Sequence, residues 1–227
     1  ESRGCEFNNE MLFFGLQYFI KEYLSTPITQ EDIDEADEIF MAHGGSFNKE
    51  GWQYILDEYN GWLPVKIMAV PEGMVIPNHN VLVTVENTDP KCYWLTSYLE
   101  TALLRAVWYP STVASNSFYL KQKIYDALKV TADNPDNCGL EFKLHSFGFR
   151  GVSSLESAGI GDVGHLVSFL GTDTMAGILC ARKYYNANMA GFSIKATEHS
   201  TQTSGTRNNE RDAYLNLVEK YAKPGVI

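Results

Sequence analysis

Residues 141–185 read EFKLHSFGFR GVSSLESAGI GDVGHLVSFL GTDTMAGILC ARKYY, and the succession of apolar and small residues in this stretch decides the fold class. Glu141 to His145 reads as a short strand, Ser153 to Leu166 as a helix rich in small residues, Val167 to Leu170 as a second strand and Asp173 to Tyr185 as a second helix. Phe192 to Ala196 and Asn208 to Tyr221 repeat the rhythm as strand and helix. Strands alternating with helices predict an α/β protein built on a parallel sheet or barrel, in which ligands sit at the C-terminal strand ends.

Upstream the pattern is different. Leu12, Leu16, Phe19, Ile20 and Tyr23 recur at helical spacing, and Pro27 must end that helix. Thr29 reads as an N-cap with Asp32 at N3. The segment Glu31 to Glu38 then carries six acids, which the positive end of the helix dipole tolerates as a solvated face. A helix over Gly51 to Tyr59 precedes two alternating runs, Val65 to Val70 and Val81 to Val85, separated by the turn Pro71-Glu72-Gly73 and forming a small β unit. Asp89-Pro90 opens a long helix that Pro110 is expected to end, and Ser117 to Val130 reads as a separate helix. The polar, turn-rich run Thr131 to Gly139 is the best internal boundary, dividing the chain into 1–140 and 141–227.

The 227 residues, 44% hydrophobic and 20% charged, have the composition of a folded, soluble protein with a real core. With 18 Lys plus Arg against 28 Asp plus Glu, the net charge of −10 argues against a nucleic-acid or anionic-membrane binder. Leu140 to Arg207 is close to neutral, with six basic residues against five acids, so phosphate, if handled, is handled there. Cys5, Cys92, Cys138 and Cys180 lack metal-ligand spacing and read as reduced thiols of a cytoplasmic protein. No apolar leader or membrane span is expected.

Three polar clusters fall where strands meet helices. In His145-Ser146-Phe147-Gly148-Phe149-Arg150-Gly151-Val152-Ser153-Ser154, glycines allow a tight turn, Arg150 lies between aromatic rings, and the serines stand where helix amides could hold an anion. A plain strand-helix turn with its rings in the core is the competing reading. In Leu170-Gly171-Thr172-Asp173-Thr174, either Thr172 or Asp173 caps the helix, or the Asp173 carboxylate accepts a hydrogen bond from a ligand amide. In Thr197-Glu198-His199-Ser200-Thr201, His199 is flanked by groups that could set its tautomer. His43, His79 and His165 read as structural. Phosphate-loop, dinucleotide and zinc-protease motifs are absent, and Gly159-Ile160-Gly161 is weak evidence for a dinucleotide.

Together with Glu72-Gly73, Val83-Thr84-Val85-Glu86-Asn87-Thr88-Asp89-Pro90, Tyr93-Trp94-Leu95-Thr96, Trp108-Tyr109-Pro110 and Lys143-Leu144-His145, these clusters resemble the nicotinamide phosphoribosyltransferase family, in order, over nearly the whole chain. The resemblance implies a type II phosphoribosyltransferase fold, an irregular α/β barrel plus a smaller domain. Residues 1–140 would be the smaller helical and β-rich domain, and 141–227 the first part of the barrel with the nicotinamide and phosphate motifs. It implies transfer of a phosphoribosyl group from phosphoribosyl pyrophosphate to nicotinamide, giving nicotinamide mononucleotide and diphosphate, by a cytoplasmic homodimer with composite sites. Phe147 would be one of two rings sandwiching nicotinamide, Asp173 would accept from its carboxamide, and His145, Ser193 and Ile194 would line the site. Arg150 and Arg3 would reach phosphate, Mg²⁺ would accompany phosphoribosyl pyrophosphate, and His199 would accept phosphate from ATP.

The resemblance also carries departures. The family's Asp-Ser-Tyr-Lys segment, with the second ring, precedes the point where this sequence starts, and its Arg-x-Asp-Ser-Gly strand and glycine-rich phosphate loops follow the point where it stops. Lys195 replaces a usual proline, and Ser204-Gly205-Thr206 replaces a turn containing an aromatic residue. The chain is therefore expected to be about half an enzyme and inactive alone. A nicotinate-using relative and a non-catalytic dimerisation or ligand-binding fragment are the other readings.

Overall fold

A computed structural model describes residues 9–223. The chain forms two compact units, Glu1–Gly191 and Phe192–Ile227, each described by itself. In the first, β1 (Glu10–Leu12) leads to α1 (Leu16–Phe19), which runs into a π-helical turn over Ile20–Leu24. Helices α2 (Gln30–His43) and α3 (Lys49–Tyr59) follow, then β2 (Val65–Ala69), β3 (Val75–Pro77) and β4 (Val83–Asn87). Next come α4 (Leu95–Thr131), β5 (His145–Ser146), α5 (Leu155–Leu166), β6 (Gly171–Thr172) and α6 (Met175–Tyr185). The second unit holds α7 (His199–Ser204) and α8 (Glu210–Tyr221).

The small β unit is two antiparallel pairs, β1 with β3 (Glu10 opposite Pro77) and β2 with β4 (Val65 opposite Asn87). Thr29 and Asp32 form the reciprocal capping box read from the sequence. Asp89 accepts from the hydroxyls of Tyr54 (2.8 Å) and Tyr59 (2.7 Å), tying α3 to the entry of α4. Behind these contacts, Ile33, Trp52, Ile55, Cys92, Leu95 and Leu99 make one core. A second core joins Leu12, Phe14, Tyr18 and Phe19 to Ala106 and Ala114 of α4, Ile160 and Val163 of α5, and Cys180 and Tyr184 of α6. Residues from both sides of the Thr131–Gly139 turn thus share that core.

Two expectations are corrected here. Leu12 belongs to a strand, because Gly15 adopts φ 109° and turns the chain before α1 can begin; that left-handed conformation suits glycine. The second correction is that α4 does not stop at Pro110 but runs 37 residues through it. Proline removes one helical hydrogen bond and usually kinks or breaks a helix. Here Pro110 is fully buried, and a Cβ on Gly15 would lie 2.3 Å from its ring, so the β1–α1 turn packs directly on the proline. From the next residue on, buried serines take over backbone groups of the β1–α1 segment. Ser111 Oγ accepts from the Phe14 N–H (3.0 Å) and donates to the Phe14 carbonyl (2.9 Å), while Ser115 Oγ accepts from the Leu12 N–H (2.8 Å). Burial and these bonds offset the missing helical one.

The strand-helix alternation read after residue 140 is present, with strand positions shifted. Residues 140–142 form a 3-10 turn and the strand is His145–Ser146; likewise the second strand is Gly171–Thr172 rather than 167–170. β5 and β6 pair in parallel, His145 opposite Gly171 and Ser146 opposite Thr172, with α5 as the crossover, so the fold is α/β. Between Phe192 and Ala196 only Phe192 makes a strand bridge.

Ser111→Ala is expected to strand both the N–H and the carbonyl of Phe14 and to destabilise the protein by about 1–3 kcal/mol. Urea unfolding checks this: an unchanged midpoint would mean the serine does not anchor β1.

Candidate functional site

β5, α5 and β6 make a strand-helix-strand crossover, and its two strand ends bring distant residues together. The Asp173 N–H donates to the Ser146 carbonyl (3.0 Å), continuing the parallel pairing one step past the strand. In consequence the carboxylate of Asp173 meets the imidazole of His145, with Nε2 to Oδ1 at 3.0 Å. A carboxylate can only accept, so Nε2–H is the donor and the imidazole orientation is set. The Phe147 ring lies 4.9 Å from the His145 ring at 38°, and Phe147 is 49% exposed. His145, Phe147 and Asp173, singled out from two separate sequence clusters, therefore form one patch. Arg150 is exposed in the 3-10 turn Gly148–Gly151 beside it.

Ser154 is the N-cap of α5, where its hydroxyl accepts the Ser157 amide (3.1 Å) and the Ser157 hydroxyl accepts the Ser154 amide (3.1 Å). That reciprocal box occupies amides that the sequence reading offered to an anion.

Beneath the patch lies a layer of buried polar groups. Asp162 is 4% exposed on α5, and the Thr172 hydroxyl donates to its carboxylate, 3.0 Å from either oxygen. Burial raises the Asp162 carboxyl above the usual carboxylate range, opposed by hydrogen bonds from the Ser146 and Thr172 hydroxyls and by nearby His145. His165, read as structural, is buried: Nε2–H donates to the Gly171 carbonyl (3.0 Å), so Nδ1 accepts from the Ser117 hydroxyl (3.1 Å). Its ring stacks on Phe169 at 5.2 Å. Burial pushes its imidazole below the ordinary value, against the pull of the Gly171 bond and with a smaller push from His145. Asp162 was not singled out from the sequence. The available signal was an acid set among small and apolar residues in Gly161-Asp162-Val163-Gly164.

In the second unit, Ser193 and Ile194 are exposed. His199 opens α7 with its side chain 98% exposed and Nδ1 4.0 Å from Glu198. Glu198 caps α7 by accepting the Ser200 amide (2.5 Å), and hydrogen bonds from Ser200 hold its carboxyl below the usual range. Arg3 lies outside the described residues. A cavity of ≈ 680 Å³ bordered by Phe13, Phe14, Glu72 and Tyr185 touches none of the residues singled out above. Its carboxylate is engaged locally, since Glu72 accepts the Gln17 amide (2.6 Å) at the start of α1. Among the described residues, no three His, Cys, Asp or Glu side chains converge as metal ligands, and no helix is long and apolar enough to cross a membrane.

Two family models match the chain: the nicotinamide phosphoribosyltransferase N-terminal domain over residues 1–67, and the nicotinate phosphoribosyltransferase family over residues 142–223. Both models describe phosphoribosyltransferases of pyridine bases. The chain is 53% identical over its whole length to a nicotinamide phosphoribosyltransferase of Xanthomonas campestris pv. campestris, of which it covers 48%, and 31% identical over 98% of its length to one from Acinetobacter baylyi, of which it covers 45%. A Mycoplasma pneumoniae nicotinamide phosphoribosyltransferase is 33% identical over 70% of the chain, which covers 33% of that protein. The chain is thus similar to nicotinamide phosphoribosyltransferases along its whole length, and it spans about half the length or less of these curated relatives.

The buried His165 gives a pH prediction. Its proton affinity is lower in the folded state, so the unfolded chain binds more protons below the ordinary value of about 6.5. The stability this residue contributes is therefore present above that pH and is lost as pH falls toward its lowered folded value. Urea midpoints at pH 7.5, 6 and 5 should fall less steeply for His165→Gln than for the unsubstituted protein. Parallel slopes would mean that His165 does not resist protonation.

Proposed function

We propose that this chain carries the nicotinamide-orienting part of a nicotinamide phosphoribosyltransferase, which joins nicotinamide to phosphoribosyl pyrophosphate and releases nicotinamide mononucleotide and diphosphate. The observation that carries the reading is the His145–Asp173 contact of 3.0 Å beside a half-exposed Phe147 ring. A flat pyridine can stack on that ring while its carboxamide N–H donates to Asp173. His145, donating to Asp173 Oδ1, holds the carboxylate in a fixed orientation beside the ring. A nicotinate carboxylate would meet Asp173 as a like charge, so the same residue favours the amide.

In the transfer itself, the ring nitrogen lone pair forms the bond to ribose C1 while the C1–O bond breaks and its electron pair leaves with diphosphate. No proton moves, because the attacking nitrogen carries none, and the chemistry asks for orientation and charge stabilisation rather than a general base. Arg150, exposed next to Phe147, and Arg3 are assigned to the phosphates. Mg²⁺ is assigned to the diphosphate of the substrate, whose leaving it would favour by neutralising charge. His199, almost fully exposed, is assigned as an acceptor of phosphate from ATP, and Ser193 and Ile194 as wall residues. A cytoplasmic homodimer with composite sites completes the proposal. Its support is the free thiols of Cys92, Cys138 and Cys180 and the exposed aromatic side chains Tyr98 and Trp108 of α4.

The test is nicotinamide mononucleotide formation by the full-length protein with nicotinamide and nicotinate in competition. Asp173→Ser is expected to lower nicotinamide use on the order of 10²-fold, as when a buried site loses its bond to a substrate amide. An unchanged preference between amide and acid would overturn the assignment. The 227 residues alone are expected to give no product, and product formed by them would show that the remaining length is dispensable.

Phe147→Ala should weaken nicotinamide binding by about 1–3 kcal/mol, the range for base-aromatic stacking, with little change in melting temperature because the ring is half-exposed. Normal binding with a large fall in melting temperature would make the ring structural.

A further inference from the structure

Asp162 has no part in the reading above, yet it is a buried carboxylate set among the small and apolar residues Ala158 to Gly164 of α5. Its carboxylate is pressed against α6: a Cβ on Gly177 would fall 2.0 Å from Oδ2. Among the described residues no Lys or Arg is paired with it in a salt bridge. An unpaired buried charge is unfavourable, and residues that break the rule for cores cluster at functional sites. What Asp162 does hold is the turn that carries Asp173.

The chain of bonds is short. The Thr172 hydroxyl donates to Asp162 at 3.0 Å and, with a lone pair, accepts the Thr174 N–H at 2.9 Å. Asp173 lies between these two residues, and its own N–H is held by the Ser146 carbonyl at 3.0 Å. The hydroxyl has one proton; an acceptor at position 162 takes it and so orients a lone pair toward the Thr174 N–H. The Ser146 hydroxyl reaches the same carboxylate from the neighbouring strand. Both strand ends of the site are thereby tied to one side chain on the crossover helix.

We propose that Asp162 is a positioning residue that aims the Asp173 carboxylate, acting through the Thr172 hydroxyl, and so sets the affinity for the nicotinamide amide. This rests on the reading of Asp173 as the amide acceptor. It touches neither substrate nor reacting atoms; it fixes the backbone on both sides of the residue that does. The effect is confined to the pyridine side of the site, because phosphoribosyl pyrophosphate is assigned to other residues.

The experiment uses the full-length protein with Asp162→Leu, which removes the acceptor, Thr172→Val and Thr172→Ser. Asp162→Leu and Thr172→Val should each raise KM for nicotinamide about tenfold or more, leaving KM for phosphoribosyl pyrophosphate within about twofold. Thr172→Ser, which keeps the hydroxyl, should restore KM to near the unsubstituted value; a merely structural role would not split the two substrates in this way. Nitrogen-15 NMR of the His145 imidazole provides a readout without turnover: the Nε2–H signal of the Asp173-bonded ring should move toward that of a solvated ring in both damaging variants. If Asp162→Leu fails to fold, Thr172→Val decides. An unchanged nicotinamide KM together with an unchanged His145 spectrum would overturn the proposal. A moved His145 signal in a protein that does not use nicotinamide would leave Asp162 as the positioning residue and overturn the functional reading instead.

Discussion

The close approach of α5 to its neighbours is the constraint on which the first unit depends. A Cβ at Gly161 would lie 2.5 Å from the Tyr109 hydroxyl of α4, and one at Gly164 would lie 2.8 Å from the Pro110 carbonyl. On the other side, Gly159 faces Ala176 of α6, with a Cβ reaching 3.2 Å from that carbonyl. A helix with ordinary side chains at these points could not lie between α4 and α6 at this distance, since interiors are packed as tightly as organic crystals. With α5 held there, the chain leaves β5 and returns to β6 within one short crossover, and His145 and Asp173 come to face each other.

The same packing explains why Pro110 sits inside a helix. Its ring is covered by the Gly15 turn and its carbonyl by Gly164, so a residue that would break an exposed helix is here part of a contact on two sides. Ser111 and Ser115, one turn apart on the same face, then hold β1, which pairs with β3. The small β unit and the α/β crossover are therefore joined through α4, and the chemistry-bearing strand ends inherit the rigidity of that helix. Rigid supports of this kind are what an orienting site needs, because catalysis by orientation fails when reacting groups are misplaced by about 1 Å.

Much of this was legible in the sequence, for identifiable reasons. The Thr29–Asp32 box and the helix expected over residues 51–59, which begins two residues earlier, depend on local spacing and were legible. The alternation of strand and helix after residue 140 was visible as periodicity, although the strands are only two residues long and fall a few positions later than expected. Pro110 and Leu12 were misread because their outcomes depend on contacts with residues about a hundred positions away. Asp162 gave no recognisable motif; one buried acid becomes meaningful only when its partners Thr172 and Ser146 are seen around it.

By itself the sequence determined the fold class, the clusters at the strand ends and the family resemblance, since periodicity, turn chemistry and an ordered set of motifs are all written along the chain. Tertiary structure alone decided that α4 continues through its proline, that Asp173 turns its carboxylate to His145 rather than capping α6, and that a buried acid stands behind both strand ends. The physical reason is common to these cases. Each is a choice between two locally acceptable states, and the balance is tipped by burial and by hydrogen bonds to residues distant in sequence.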